Sequence, residues 1–254
     1  MEGVKRPRTA AVIVAAGGST RMGVPKQLLE IGGLPVIART LLAFEEARLI
    51  DGIVLVAREE EREAFRALAE CHGIRKLRAV VPGGATRQLS AASGAARAGR
   101  DADFLAIHDG ARPLILPAVI DSVVREAHAC GAAAAAVPVK DTLKTADKNG
   151  FVTGTPDRRF LWNVQTPQVF RRALYEEALA RAQAEGLDFT DDCQLVERLG
   201  RPVRLVRADY GNLKITTPED AAVAEILLRR RETASGIGKK ESLCGSDTDT
   251  TCTG

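Results

Sequence analysis

The stretch AAVIVAAGGSTRMGVPKQL, residues 10–28, decides the fold. Its first seven residues are apolar without alternation, which suits a strand in a sheet covered on both faces. Gly17 and Gly18 follow, with Gly23 a little further on and Arg21 and Lys26 close by. Two common phosphate-binding patterns are excluded. Adjacent glycines break G-x-G-x-x-G, and Gly18 to Gly23 is followed by Val24 where a P-loop requires lysine. What remains is a glycine turn at the carboxyl end of a strand, whose peptide N–H groups can approach an anion between a guanidinium and an ammonium group.

Working outward, short apolar runs recur as IVLVA at 53–57, LRAVV at 77–81, FLAIH at 104–108, AAAAAVPV at 132–139 and VRLVRA at 203–208. Segments of helical character separate them. Ile37, Leu41 and Phe44 form one stripe on a helix over 34–47, and further helices are predicted at 59–70, 86–99, 117–129, 171–185 and 191–199. A last helix opens with Thr217 as cap, Pro218 in the first turn and Glu219 and Asp220 at the positive end of the dipole, and runs to about 231. This alternation predicts an α/β fold with a doubly wound, mostly parallel sheet and ligands at the strands' carboxyl ends. The segment KDTLKTADKNGFVTGTPDRRF at 140–160 alternates around Asn149-Gly150 and reads as a projecting β-hairpin arm over about 139–161. Residues 9–231 are then one domain, with a flexible start at 1–8 and a polar tail at 232–254 that cannot offset its ordering entropy.

Composition narrows the function classes. The chain has 254 residues, 45% of them hydrophobic, enough for one sizeable core. Lys and Arg total 36 against 33 for Asp and Glu, a surplus too small to predict a nucleic-acid groove or a membrane patch. Aromatics at 4% leave few stacking platforms for single-stranded nucleic acid. Cys71, Cys130, Cys193, Cys244 and Cys252 are scattered, with no zinc spacing. No run reaches the 18 to 20 or so apolar residues of a membrane span. A reduced, cytoplasmic setting is expected.

Phosphoryl-type transfer asks mainly for positioning and for cations where charge accumulates. Arg21 and Lys26 meet that need, against the plainer reading of a strand–helix turn with solvated charges. An acceptor that is itself a phosphate is already ionised at neutral pH, so the chemistry needs no general base. The chain's three histidines are no obstacle to it.

The first loop, together with IHDGARP at 107–113, resembles the signature of the nucleotidyltransferases that make activated sugars and polyols. PVKDTLK at 138–144, TPDR at 155–158, QTPQ at 165–168, FTDD at 189–192 and NLKITTPED at 212–220 narrow the match. In this order, over about 9–230, the chain resembles the 2-C-methyl-D-erythritol 4-phosphate cytidylyltransferase family of the non-mevalonate isoprenoid pathway. That resemblance implies a Rossmann-like nucleotidyltransferase fold that moves CMP from CTP to a polyol phosphate, releasing pyrophosphate with Mg²⁺ or another divalent cation. It implies backbone contacts to CTP at Ala15, Ala16 and Gly17, and stabilisation at the α-phosphate by Arg21 and Lys26. Base contacts would come from Gly83, Gly84 and Ser90 in PGGATRQLS, where Ala85 replaces an acidic residue of some members. Asp109 and Gly110 would lie near ribose, triphosphate and metal, and Arg112 near the acceptor phosphate. Thr142 and Arg158 would reach the neighbouring site in a homodimer, Thr166 and Thr190 would face the acceptor, and Lys214 would hold its phosphate.

Structural readings of the same residues stand beside these. Loop 82–90 could be a turn with Thr86 as helix cap, Asp109 and Arg112 a buried pair, His108 a packed strand residue, and Thr166 and Thr190 turn or helix caps. The arm could be solvated surface. A sister enzyme acting on ribitol 5-phosphate shares the loop chemistry, and a catalytically silent nucleotide-binding regulator shares the fold.

Overall fold

The computed structural model describes residues 6–18 and 26–234. Arg21, the predicted tail from 235 onward and residues 1–5 lie outside the described residues. The elements run β1 Thr9–Val14, β2 Glu30–Ile31, β3 Leu34–Pro35, α1 Val36–Glu46, β4 Gly52–Ala57, α2 Arg62–Cys71, β5 Leu77–Pro82, α3 Arg87–Arg97, β6 Phe104–Asp109, α4 Pro117–Cys130 and β7 Ala132–Pro138. They continue with β8 Thr145–Ala146, β9 Val152–Gly154, β10 Trp162–Arg171, α5 Arg172–Ala184, α6 Asp192–Arg198, β11 Arg204–Arg207 and α7 Pro218–Ala234.

One sheet of seven strands, in the order β11-β7-β10-β6-β1-β4-β5, forms the centre. β1 pairs in parallel with β4 and β6, and β4 with β5. β11 is parallel to β7, while β10 runs antiparallel between β6 and β7. The sheet is therefore mostly parallel, as the apolar runs predict. β10 is the strand that those runs do not reveal.

Alternate residues feed two cores. Ala11, Ile13, Ile53, Leu55, Ala106, Ala133 and Ala135 pack with Ile37, Leu41 and Phe44 of α1, Phe65 of α2 and Val123 and Val124 of α4. Val12, Val54, Val56, Leu105, Ile107 and Ala134 pack on the opposite face with Ala91 and Ala95 of α3, Tyr175 and Leu179 of α5 and Val196 of α6. Gly94 lets α3 lie directly on β1 and β4, because a Cβ there would collide with Val12 and Val56. A smaller third core of Ile31, Val36, Leu114, Ile215 and Ala224 seats α7.

The predicted start of α7 appears with a reciprocal cap. Asp220 accepts from the Thr217 amide at 2.9 Å and from the Thr216 amide at 2.8 Å, and the Asp220 amide donates to the Thr217 hydroxyl at 3.4 Å. The predicted helix at 34–47 begins only at Val36, because Leu34 and Pro35 pair with Glu30 and Ile31 as a two-residue ribbon. Residues 6–8, the described part of the start expected to be flexible, are tied to the sheet. Arg6 donates to Asp51 at 2.7 Å, and the Arg8 amide donates to Asp103 at 2.8 Å. Helix α7 extends to Ala234, three residues past the predicted domain end. Among the described residues no helix is long and apolar enough to cross a membrane.

The arm contains the predicted hairpin, β8 against β9. Asp147 accepts from the amides of Asn149 and Phe151 at 2.9 Å each, and Gly150 takes a left-handed φ of 86°, which glycine adopts without strain.

Candidate active site

The carboxyl ends of β1 and β6, the loop before α3 and the segment before α7 converge on two adjoining cavities. The first, about 270 Å³, is lined by Ala16, Gly17, Gly18, Lys26 and Gln27 on one side. Gly84, Ala85, Thr86, Arg87, Ser90, Asp109 and Lys214 close the other. The second, about 170 Å³, is lined by Arg112, Gln165, Thr166, Gln168, Thr190 and Asp191, and shares Arg87, Asp109 and Lys214 with the first. Those three shared residues define the junction.

Asp109, the last residue of β6, is buried there among three cations. Lys214 Nζ lies 2.9 Å from Oδ2, Arg87 Nε 3.2 Å from Oδ1 and Arg112 Nε 3.7 Å from Oδ2. Burial alone would raise its pKa, but Arg87, Lys214 and Arg112 together hold the carboxyl well below the ordinary range. Its amide donates to the Thr166 hydroxyl at 3.1 Å, and that hydroxyl pairs with His108 Nδ1 at 3.0 Å. His108 is fully buried against Phe44, and burial lowers its pKa to about 3, so the ring is neutral at physiological pH. Lys214 is fixed by its neighbour, since the Ile215 amide donates to the Ala111 carbonyl at 2.8 Å. Arg112 donates to the Asn212 carbonyl at 2.7 Å, and Asn212 donates in turn to Gln165 and to the Thr166 carbonyl.

Arg87 extends the network. Its Nη1 lies 2.6 Å from Asp192 Oδ2, and the Tyr175 hydroxyl donates to Asp192 Oδ1 at 2.7 Å. Burial pushes the Asp192 carboxyl up and Arg87 and Tyr175 pull it back, so its charge depends on those two partners. Arg87 itself is driven upward, the two carboxylates outweighing its desolvation.

Several residues singled out in the sequence are brought together here: Ala16, Gly17, Lys26, Gly84, Ser90, Asp109 and Lys214 in the first cavity, and Arg112, Thr166 and Thr190 in the second. Others have a different place. The Ala15 amide donates to the Val56 carbonyl at 2.7 Å, so the peptide edge at the cavity comprises Ala16, Gly17 and Gly18 instead. The Gly83 amide is engaged by the Ala57 carbonyl, and a Cβ there would collide with Ala16, so Gly83 serves the close approach of two loops. The Gly110 amide donates to the Val14 carbonyl at 2.8 Å and its own carbonyl accepts from Thr40. Gly84 and Ser90 bond each other at 3.0 Å, and Thr86 caps α3 through the Leu89 amide at 3.2 Å. Thr142 and Arg158 are exposed and line neither cavity, Arg158 donating to the Lys140 carbonyl at 3.1 Å.

The sequence reading gives no individual role to Gln27, Arg87 and Asp192. Arg87 carries a signal: a cation in the first turn of a helix opposes the dipole and needs a compensating anion. Among the described residues no three His, Cys, Asp or Glu side chains gather as a metal cluster. The carboxylate available in the first cavity is Asp109.

Comparison with known proteins now identifies the relatives of this site. A family model described as IspD, 2-C-methyl-D-erythritol 4-phosphate cytidylyltransferase, matches residues 9–230. A protein of that name from Pelotomaculum thermopropionicum is 46% identical over 228 residues, covering 89% of this chain and 96% of its own. Another from Desulforamulus reducens is 47% identical over 224 residues, covering 87% and 96%. The crystal structure of 4-diphosphocytidyl-2C-methyl-D-erythritol synthase from Anaerococcus prevotii superposes with a TM-score of 0.80 at 31% identity, covering 88% of this chain and 97% of its own. That of 2-C-methyl-D-erythritol 4-phosphate cytidylyltransferase from Thermus thermophilus gives 0.71 at 33% identity, covering 86% and 98%. The chain belongs to the 2-C-methyl-D-erythritol 4-phosphate cytidylyltransferase family.

Proposed function

We propose that this chain transfers a cytidylyl group from CTP to 2-C-methyl-D-erythritol 4-phosphate, giving 4-diphosphocytidyl-2-C-methyl-D-erythritol and pyrophosphate. The observation that carries this reading is the shared junction: two cavities meet at Arg87, Asp109 and Lys214, so that a phosphate bound in one would face a phosphate bound in the other. CTP occupies the first cavity, with its phosphates along Ala16, Gly17 and Gly18. An oxygen of the acceptor phosphate attacks the α-phosphorus in line. A new P–O bond forms as the bond from the α-phosphorus to the bridging oxygen breaks, and the electron pair leaves with pyrophosphate. The acceptor monoester is ionised at neutral pH, so the buried, neutral His108 has no proton to take.

Lys26 and Arg21 act on charge developing at the α-phosphate, Lys214 steers the acceptor phosphate toward it, and Arg112 presents a planar fork to the acceptor. Gly84 and Ser90 shape the base end. Thr166, through its link to Asp109, and Thr190 shape the acceptor wall. A divalent cation, Mg²⁺ by this reading, would be held by Asp109 and by phosphate oxygens, which fits a site offering one carboxylate; bound there it would neutralise charge on the leaving group.

The arm supports a homodimer in which Thr142 and Arg158 complete the partner's site. Leu143, Phe151, Val152 and Phe160 are exposed on the arm, Phe160 by 78%. The test is pyrophosphate release with each nucleoside triphosphate paired with 2-C-methyl-D-erythritol 4-phosphate and with ribitol 5-phosphate. Turnover should require CTP and favour the methylerythritol substrate. Faster turnover of ribitol 5-phosphate would reassign the acceptor, and no release with any pair would refute the enzyme.

A further inference from the structure

Arg87 opens α3, where the helix dipole disfavours a cation, and nothing in the helix itself asks for one there. Its neighbours explain its presence. The guanidinium spans two buried carboxylates, Asp109 at 3.2 Å through Nε and Asp192 at 2.6 Å through Nη1. Asp192 is 1% exposed and begins α6, directly after Thr190 and Asp191, which wall the second cavity. It is held from behind by the Tyr175 hydroxyl. A second strut joins the same two regions: the Thr86 hydroxyl donates to Asp188 at 2.8 Å, and the Phe189 amide donates to Gln88 at 2.9 Å. Three consecutive residues of the nucleotide-side loop and helix, Thr86, Arg87 and Gln88, therefore hold the acceptor-side segment 188–192.

We propose that Arg87 is a positioning residue that sets the acceptor wall in register with the nucleotide cavity, acting through Asp109 on one side and the Asp192–Tyr175 pair on the other. A lysine cannot reproduce this, because one ammonium lacks the planar fork that meets two carboxylates in fixed directions. A displacement of the wall by about 1 Å is enough to lower turnover on the order of 10²-fold when reacting phosphates must lie in line. The inference rests on the two-substrate reading above.

The test is steady-state kinetics of the full chain with both substrates varied, for wild type, Arg87→Lys, Arg87→Met, Tyr175→Phe and the double variant Arg87→Met with Asp192→Asn. Thermal stability is measured on each. Arg87→Met leaves the buried Asp192 without its cation, while Asp109 keeps Lys214 and Arg112, and is expected to destabilise the fold. The double variant removes the Asp192 charge and should recover Tm. If Arg87 positions the wall, the double variant keeps an acceptor KM raised on the order of tenfold and a kcat lowered on the order of 10²-fold, while the KM for CTP moves less than about threefold. Arg87→Lys shows the same defect, and Tyr175→Phe a smaller one in the same direction. If the double variant recovers kcat and acceptor KM together with Tm, Arg87 is a structural ion pair and the proposal fails. A wild-type chain that releases no pyrophosphate refutes the two-substrate reading and this inference with it, whereas active wild type with normal kinetics in Arg87→Lys overturns the inference alone.

Discussion

The junction around Asp109 and the arm at 139–161 are built on opposite plans. At the junction one carboxylate meets three cations, and each charged group is tied to strands and helices of its own chain. In the arm, hydrogen bonds are local: Lys144 to Thr155, Thr153 to Thr145, Arg159 to Asp157, Arg158 to Lys140. Its large apolar residues face outward, and the only regular pairing is a short ribbon. The junction is preorganised by burial, which makes each electrostatic contact strong. The arm has no core of its own, so its Thr and Arg gain a fixed position only against another surface. A residue in such a place that acted on a partner's site would line no cavity of its own chain, as Thr142 and Arg158 do not.

The largest expected effects break the comparison at its strong end. Lys214→Ala should lower kcat about 10²- to 10³-fold, because a preorganised cation is lost where charge develops. Pyrophosphate release under saturating CTP measures it. Loss of activity should leave Tm nearly unchanged, since Arg87 and Arg112 still compensate Asp109. Unchanged kcat would remove Lys214 from the reaction.

At the weak end, Arg158→Ala should lower activity by about 10²-fold without altering CTP affinity, since Arg158 does not line the first cavity in its own chain. Co-expression with Lys214→Ala then separates cis from trans. In the proposed dimer, a mixed pair would give the Arg158→Ala subunit, whose Lys214 is intact, the other subunit's unaltered arm. Random pairing should therefore restore about a quarter of wild-type activity. If the mixture stays as inactive as its parents, the arm does not work across a subunit boundary.

Acid sharpens the contrast, because the large shifts lie at the junction. His108 titrates near 3 when folded against about 6.5 unfolded, so between those values the unfolded chain binds a proton that the folded chain refuses. Stability present above pH 6.5 is therefore lost on acidification toward 3. From pH 6.5 to 5 His108 accounts for about 1.5 kcal/mol. Asp109, held low, adds to the loss only below about pH 4, the unfolded carboxylate range. Urea unfolding at pH 6.5 and 5 should show His108→Asn flattening that slope by about the stated amount. An equal slope in both proteins would show that His108 does not carry the acid sensitivity.

What could be read from sequence follows the same division. Apolar runs and capping residues placed six strands of the main sheet and every long helix, because both faces of the sheet are covered and the runs are uninterrupted. β10 escaped because it buries polar side chains, Gln165, Thr166 and Gln168, toward the site, so its composition reads as loop. Ala15, Gly83 and Gly110, expected near the nucleotide, spend their amides on the carbonyls of Val56, Ala57 and Val14, which no sequence pattern reveals. A glycine or alanine near a ligand can serve ligand contact or backbone packing, and the difference lies in which carbonyl its amide meets. Arg87 escaped because Thr86 already explained the helix start, and its second carboxylate lies 105 residues away in the chain.

The smallest effect compares two caps. Thr86 caps α3 at the junction and also donates to Asp188, so Thr86→Ala removes a cap and one strut of the acceptor wall. Loss of an N-cap costs about 1 kcal/mol, which in a domain of this size lowers Tm by roughly 2–4 °C. Asp157 plays the equivalent local part in the arm, accepting from the Arg159 amide at 3.0 Å at the start of a single exposed turn. Asp157→Ala should leave the Tm unchanged, because a turn without a core can fray independently of the global unfolding that a thermal scan reports. Equal losses from the two substitutions would show that the arm unfolds together with the sheet, and the division drawn between a self-completed junction and a dependent arm would not hold.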